Sequence, residues 1–261
     1  MLGTFALLSL TAYFAWLLRL RQRGGRVQTS HIHLVDLAIT IGFGIFLAVI
    51  CVSSLVKPEH GPHTPLTVNL MLYEVGLNVC IAFGLWAVLG FREGSVVNFL
   101  GLRAKSPLRV IGLALLFLVA AYPGLLLMVV LTKALAHGSD EQMLVTLFRD
   151  EARDGHMRGT VMIFLSAALV APMIEEFVFR GYFYATLKRY VGIGGAALLT
   201  SALFALVHVN LASLAALFYL ALCLTLAYEW TGSLLVPITM HALFNTASLV
   251  ALYVGSRSSP G

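Results

Sequence analysis

Two adjacent glutamates and an arginine, Glu175, Glu176 and Arg180, sit in an apolar stretch whose upstream part, residues 161–173, holds no charge. A charged side chain at membrane depth is costly, and it persists where it is paired or faces a water-filled cavity. On a helix, residues four apart share a face and neighbours point about 100° apart. Glu176 is therefore placed to pair with Arg180, while Glu175 turns away toward a cavity. A carboxylate left in that position suits general acid–base work. Two further sets follow at the same spacing, Phe204 with His208 and His241 with Asn245. A histidine and an amide one turn apart hold a water, a metal or a developing oxyanion; the plainer alternative is an interhelical hydrogen-bond pair. Glu176 and Arg180 have their own plainer alternative, a buried structural network, and His208 has one as an interfacial histidine. One carboxylate, two histidines and an asparagine from three helices make a hydrolytic set. Glu175 would take a proton from water, a histidine would assist, and histidine with Asn245 would stabilise the tetrahedral intermediate.

Proline stands close to both ends of this set. Pro172 precedes Glu175 by three residues and removes the donor for a backbone carbonyl, expected at Ala168. Pro237 precedes His241 by four and is expected to act in the same way, while Pro123-Gly124 reads as a kink with no chemistry beside it. The other histidines, His31, His33, His60, His63, His137 and His156, fall in loops or at segment starts.

Positioning these groups requires membrane helices. The chain is 59% hydrophobic and 11% charged, with mean hydropathy +0.91, against about 25% charged in soluble domains. That excludes a soluble domain and predicts an all-α, multi-pass cell-membrane protein. About eight segments approach the roughly 20 residues that a spanning helix needs: 2–20, 34–56, 67–91, 108–131, 160–187, 195–209, 211–229 and 234–254. The sixth is short and almost joined to the seventh, which predicts a tight helical hairpin or a segment only partly inserted. Residues 1–158 form an N-terminal group of four helices with an extramembrane loop, and 159–261 the four helices that carry the chemistry.

The first segment has its arginines after it, at positions 19, 21, 23 and 26, so it reads as a retained helix rather than a cleaved leader. The net charge of +5 gathers at segment ends, as in cytoplasmic loops, rather than in a nucleic-acid patch. The loops after the first, third and fifth segments are basic and are expected on the cytoplasmic side. Loops 57–65 and 133–159 then lie opposite, the second with a short surface helix over 141–152. Counted from the outer end, Glu175 is about 15 residues into its helix, roughly 22 Å deep in a core of about 30 Å. A cavity open to the cytoplasmic side is expected there. Cys51, Cys80 and Cys223 all lie in apolar runs and read as small buried thiols, not as a disulfide framework or metal site. Asp36 is expected near the interface, Glu74 and Asn78 as a structural or cavity-lining stripe, and Glu229 with Trp230 as a solvated charge and an aromatic anchor at a helix end.

Glu175-Glu176-x-x-x-Arg180, Phe204-x-x-x-His208 and His241-x-x-x-Asn245 resemble, in order, the three motifs of the CPBP family. These are the type II CAAX prenyl proteases and their prokaryotic relatives, some linked to bacteriocin processing and self-immunity. The resemblance covers about residues 160–250. It implies an eight-helix intramembrane endopeptidase acting on a membrane-associated peptide or protein, lipidated in some members, with no nucleic acid involved. It implies that Glu175 and His208 activate water and that His241 and Asn245 form the oxyanion or second catalytic pair, with Glu176, Arg180 and Phe204 in support. The cofactor is none or a divalent metal such as zinc. No His-Glu-x-x-His is present, yet His208, His241 and a carboxylate are enough for a three-ligand zinc site. Asn245 fits the metal-free scheme better, being a poor zinc ligand and a good oxyanion donor. The rival functions are a proton-coupled transporter using Glu74, Glu175, His208 and His241 as a relay, and a non-catalytic immunity or scaffold protein.

Overall fold

Inside lipid a backbone has only itself to bond, so long apolar runs fold as helices. The computed structural model describes residues 2–30, 32–56, 67–93, 95–103, 106–135 and 142–258. Every regular element among them is helical. In chain order these are α1 (Leu2–Arg23), α2 (Leu34–Val56), α3 (Val68–Glu93), the short α4 (Val96–Phe99), α5 (Pro107–Leu135) and α6 (Met143–Arg153). A long rod follows: α7 (Met157–Leu165), a π-helical turn (Ser166–Val170), α8 (Ala171–Glu176), a second π stretch (Phe177–Tyr184) and α9 (Ala185–Leu206). The chain ends in α10 (Leu214–Thr231) and α11 (Leu235–Ser258). The expected surface helix over 141–152 forms as α6, which buries Phe148 and Ala152 and packs on α7 and α11. Loop 57–65, residues 136–141 and His31, His60, His63 and His137 lie outside the described residues.

Six stretches among the described residues are long and apolar enough to cross a membrane, so the chain is a multi-pass, all-α membrane protein. The difference from eight arises at two places. In α2 the apolar stretch is the shorter Leu34–Ile50, and Met157–Leu206 counts as one continuous span of 50 residues. The expected fifth and sixth segments meet inside that span at Gly192, whose φ of 72° and ψ of 177° are not helical. That conformation belongs almost only to glycine and costs a side-chain-bearing residue about 1–3 kcal/mol. A Cβ at Gly192 would meet nothing within 4 Å, so the penalty is one of backbone alone. Gly192→Ala is therefore expected to lower unfolding stability by about 1–3 kcal/mol. Gly194→Ala, also in open space and without a positive φ, should be neutral or better in the same detergent melt. Equal melting of the two would remove the backbone explanation.

The core lies around α10, which packs on α9 and α5, with α1 and α11 against α5. Tyr182, Phe183, Tyr184, Phe204 and Tyr228 are fully buried in it. By contrast α3 is mostly exposed, and Glu74 and Asn78 lie on its exposed surface. Cys80 on the same helix is exposed too, which corrects the expectation of a buried thiol; Cys223 is buried, and the Cys51 side chain lies outside the described ones.

Two other expectations need correction. Glu229 is not solvated: it is fully buried, because α10 ends beneath the segment that follows α1. Asp36, in the first turn of α2, is buried as well, its Oδ1 accepting the Tyr182 hydroxyl at 2.7 Å and its Oδ2 the His33 amide at 2.8 Å, which leaves the expectation for it untouched. Pro237 falls in the first turn of α11, where a missing N–H leaves nothing unpaired, so it does not open the backbone before His241.

Candidate active site

Glu176 is the fixed point of the site. Its side chain has no exposure, and Oε1 accepts from Arg180 Nη1 at 2.8 Å and from His241 Nδ1 at 2.9 Å. A carboxylate accepts only, so Nδ1 of His241 carries the proton and Nε2 is left for chemistry. Nε2 lies 3.9 Å from Glu175 Oε2. Glu175 is the exposed member of the pair at 30%, and His241 is at 4%. The two neighbouring glutamates thus grip one imidazole at its two nitrogens, one as anchor and one across a gap.

Arg180 reaches further than its pairing with Glu176. Its Nη2 donates to the Ala221 carbonyl of α10 at 3.1 Å, and its guanidinium lies 4.5 Å over the Phe204 ring. The Phe204 ring also touches both histidines, with centroids 4.9 Å from His208 and 5.8 Å from His241. So Phe204 is the apolar floor on which Arg180, His208 and His241 meet. His208 is not on the helix. α9 ends at Leu206, and His208 lies in the turn beyond, its Nδ1 donating to the Phe204 carbonyl at 2.7 Å. That carbonyl is one of the last four of the helix and needs a donor. The bond leaves His208 Nε2 outward. The next residue, Val209, has φ 45°, a rare conformation for a β-branched residue, and such strain gathers at functional sites.

Asn245 is positioned by the backbone. Nδ2 donates to the Ala167 carbonyl at 2.8 Å. The reason lies in Pro172 and the first π turn. The Ala171 amide bonds back to the Ser166 carbonyl, five residues away. Continuing that register, the Ala167 carbonyl would look to the amide of residue 172, which proline lacks. The wide turn therefore moves the freed carbonyl from the expected Ala168 to Ala167, and Asn245 supplies the missing donor. One amide hydrogen of Asn245 is committed there and the second remains.

Among the described residues no three His, Cys, Asp or Glu side chains are gathered as a metal ion needs. His241 Nδ1 is held by Glu176 and His208 Nδ1 by a carbonyl, which leaves both Nε2 atoms open as in metal-bound histidines, so it is the missing convergence of three such side chains that does not fit a three-ligand zinc site as arranged.

Glu229, like Asp36, is a buried carboxylate outside the three motifs. Glu229 Oε1 accepts the Tyr184 hydroxyl at 2.6 Å and pairs with Lys188, and Oε2 accepts the Val27 amide at 3.3 Å. Tyr184 and Lys188, four apart after the motif arginine, were the only signal for it.

The fold is that of a multi-pass membrane protein, with two carboxylates and two histidines brought together among its helices. Residues 157–247, which hold all three motifs, match the model of the family described as type II CAAX prenyl endopeptidase, Rce1-like. Over 182 residues the chain is 29% identical to the "Putative membrane peptidase YdiL" of Bacillus subtilis (strain 168), covering 65% of this chain and 72% of that one. It is 33% identical over 84 residues to the "Membrane-embedded CAAX protease MroQ" of Staphylococcus aureus (strain USA300), covering 30% of this chain and 34% of the relative. No solved structure matches.

Proposed function

We propose that the protein is an intramembrane endopeptidase in which Glu175 activates water against His241. The observation that carries this reading is the 3.9 Å gap between Glu175 Oε2 and His241 Nε2, with His241 fixed from behind by Glu176. Both facing atoms accept hydrogen bonds, and one water donating to each spans such a gap. Glu175 takes a proton as the water oxygen attacks the scissile carbonyl carbon. The oxyanion is met by the second Nδ2 hydrogen of Asn245. Glu175 then returns its proton to the leaving amine as the C–N bond breaks. His208, beside His241 on the Phe204 floor, is the assisting base. The substrate class is a membrane-associated peptide with a lipidated or apolar end, in keeping with the family and relatives.

The experiment is cleavage of a membrane-anchored reporter peptide by purified protein in liposomes without any ion gradient. Gradient-driven uptake with no cleavage would favour a transporter instead. Since the donor set does not gather around a cation, the rate is expected to be unchanged by a strong chelator. Loss with chelator and recovery with added zinc would replace this scheme with a metal-dependent one. Comparing released peptides in cells carrying wild type or Glu175→Gln would name the substrate.

A further inference from the structure

Away from the catalytic set, the segment after α1 is built down onto the end of α10. Gly24, at φ 73°, turns the chain. Gly25 then lies against Glu229 so closely that a Cβ there would overlap Oε2. The Arg26 amide donates to the Glu229 carbonyl at 3.2 Å, the Val27 amide to Glu229 Oε2 at 3.3 Å, and Lys188 Nζ to the Val27 carbonyl at 2.8 Å. Arg26 therefore sits on a fixed backbone, and the buried charge beneath it is already matched by Lys188 and the Tyr184 hydroxyl. Among the described residues no carboxylate pairs with Arg19 or Arg26.

These two arginines line a cavity of about 270 Å³ with Leu20, Gly24, Glu229 and Trp230. The volume is at the small end for ligand sites, suited to a headgroup rather than a whole lipid. One wall continues as a run of aromatic rings. Trp230 lies 4.9 Å from Trp16, and Trp16 lies 5.0 Å from Phe117 on α5. Trp and Tyr favour the headgroup level of a bilayer, and Arg19 is one turn from Trp16 on α1. We propose that this cavity binds a phosphate group presented by an anionic phospholipid, with Arg19 and Arg26 on the phosphate and the Trp230–Trp16 wall along the glycerol and upper acyl carbons. Guanidinium forks suit phosphate oxygens, and basic pockets between membrane helices take acidic headgroups. Because the carboxylate in the cavity is neutralised from the protein side, the site presents its two arginine charges to the membrane.

The test is native mass spectrometry of the whole protein in mild detergent with added phosphatidylglycerol or phosphatidylcholine. Wild type should retain phosphatidylglycerol, and R19Q/R26Q should retain it roughly thirty-fold less, from the typical attraction per basic residue. R153Q/R158Q, which removes two exposed arginines from the α6–α7 region, should behave as wild type. Detergent melts of the variants establish that each is folded. Equal retention by R19Q/R26Q and wild type would overturn the proposal, as would equal retention of phosphatidylcholine. In a third arm inorganic phosphate is added at millimolar concentration. It should not displace the lipid; displacement would make this a free-phosphate site and overturn the lipid assignment.

Discussion

Glu175→Gln is expected to abolish peptide cleavage, by about 10²–10⁴-fold or more, while the protein folds and melts as wild type. The amide keeps the volume of the side chain and its hydrogen-bonding reach, but it cannot take a proton from water. Stability should be little affected because Glu175 is 30% exposed and stands 3.9 Å from His241 Nε2, beyond direct hydrogen-bond distance. Glu176, which anchors His241 and Arg180, is untouched by the change. The measurement is reporter cleavage in liposomes beside a thermal melt in detergent. Near-normal cleavage with an unchanged melt would mean that the carboxylate is structural and that the proposed chemistry is wrong.

Arg180→Met is expected to be the most destabilising single change at the site, by about 3–5 kcal/mol. It would leave Glu176 as an uncompensated charge with no exposure, remove the bond to the Ala221 carbonyl, and strip the cation from the Phe204 ring. Most of that cost belongs to the stranded carboxylate rather than to the pair itself. The double variant Glu176→Gln/Arg180→Met should therefore melt higher than Arg180→Met alone, since the glutamine still accepts from His241 Nδ1 without a charge. The check is a double-mutant cycle in a denaturing-detergent titration. Additive single effects would show that Glu176 and Arg180 are not coupled.

Much of this was legible in the chain. Helical spacing alone paired Glu176 with Arg180 and turned Glu175 aside, and composition alone required a multi-pass bundle. What spacing could not show was which groups meet across helices. That Glu176 also holds His241 depends on how α11 packs against α8, and no local pattern encodes this. The two π stretches were equally hidden, because an α period was assumed throughout. That is why the carbonyl freed by Pro172 was expected one residue too late. His208 was placed on a helix because Phe204-x-x-x-His208 has helical spacing; in fact its ring closes the helix end from the turn beyond. Glu229 was misjudged because a charge at a helix terminus normally meets water. Only the return of the chain through Gly24 and Gly25 covers it.

The wide turns in the rod also act as a phase adjustment. A π turn inserts a residue without completing another α turn, which resets the azimuth of everything after it by roughly 100° for each residue inserted. Glu175 and Glu176 precede the stretch Phe177–Tyr184; Tyr184 closes it and Lys188 follows. Wound as an α-helix throughout, the rod could not aim the first pair at His241 and the second at Glu229 in the same packing. The angular offset between the two buried carboxylate centres is thus written into the winding of a single helix.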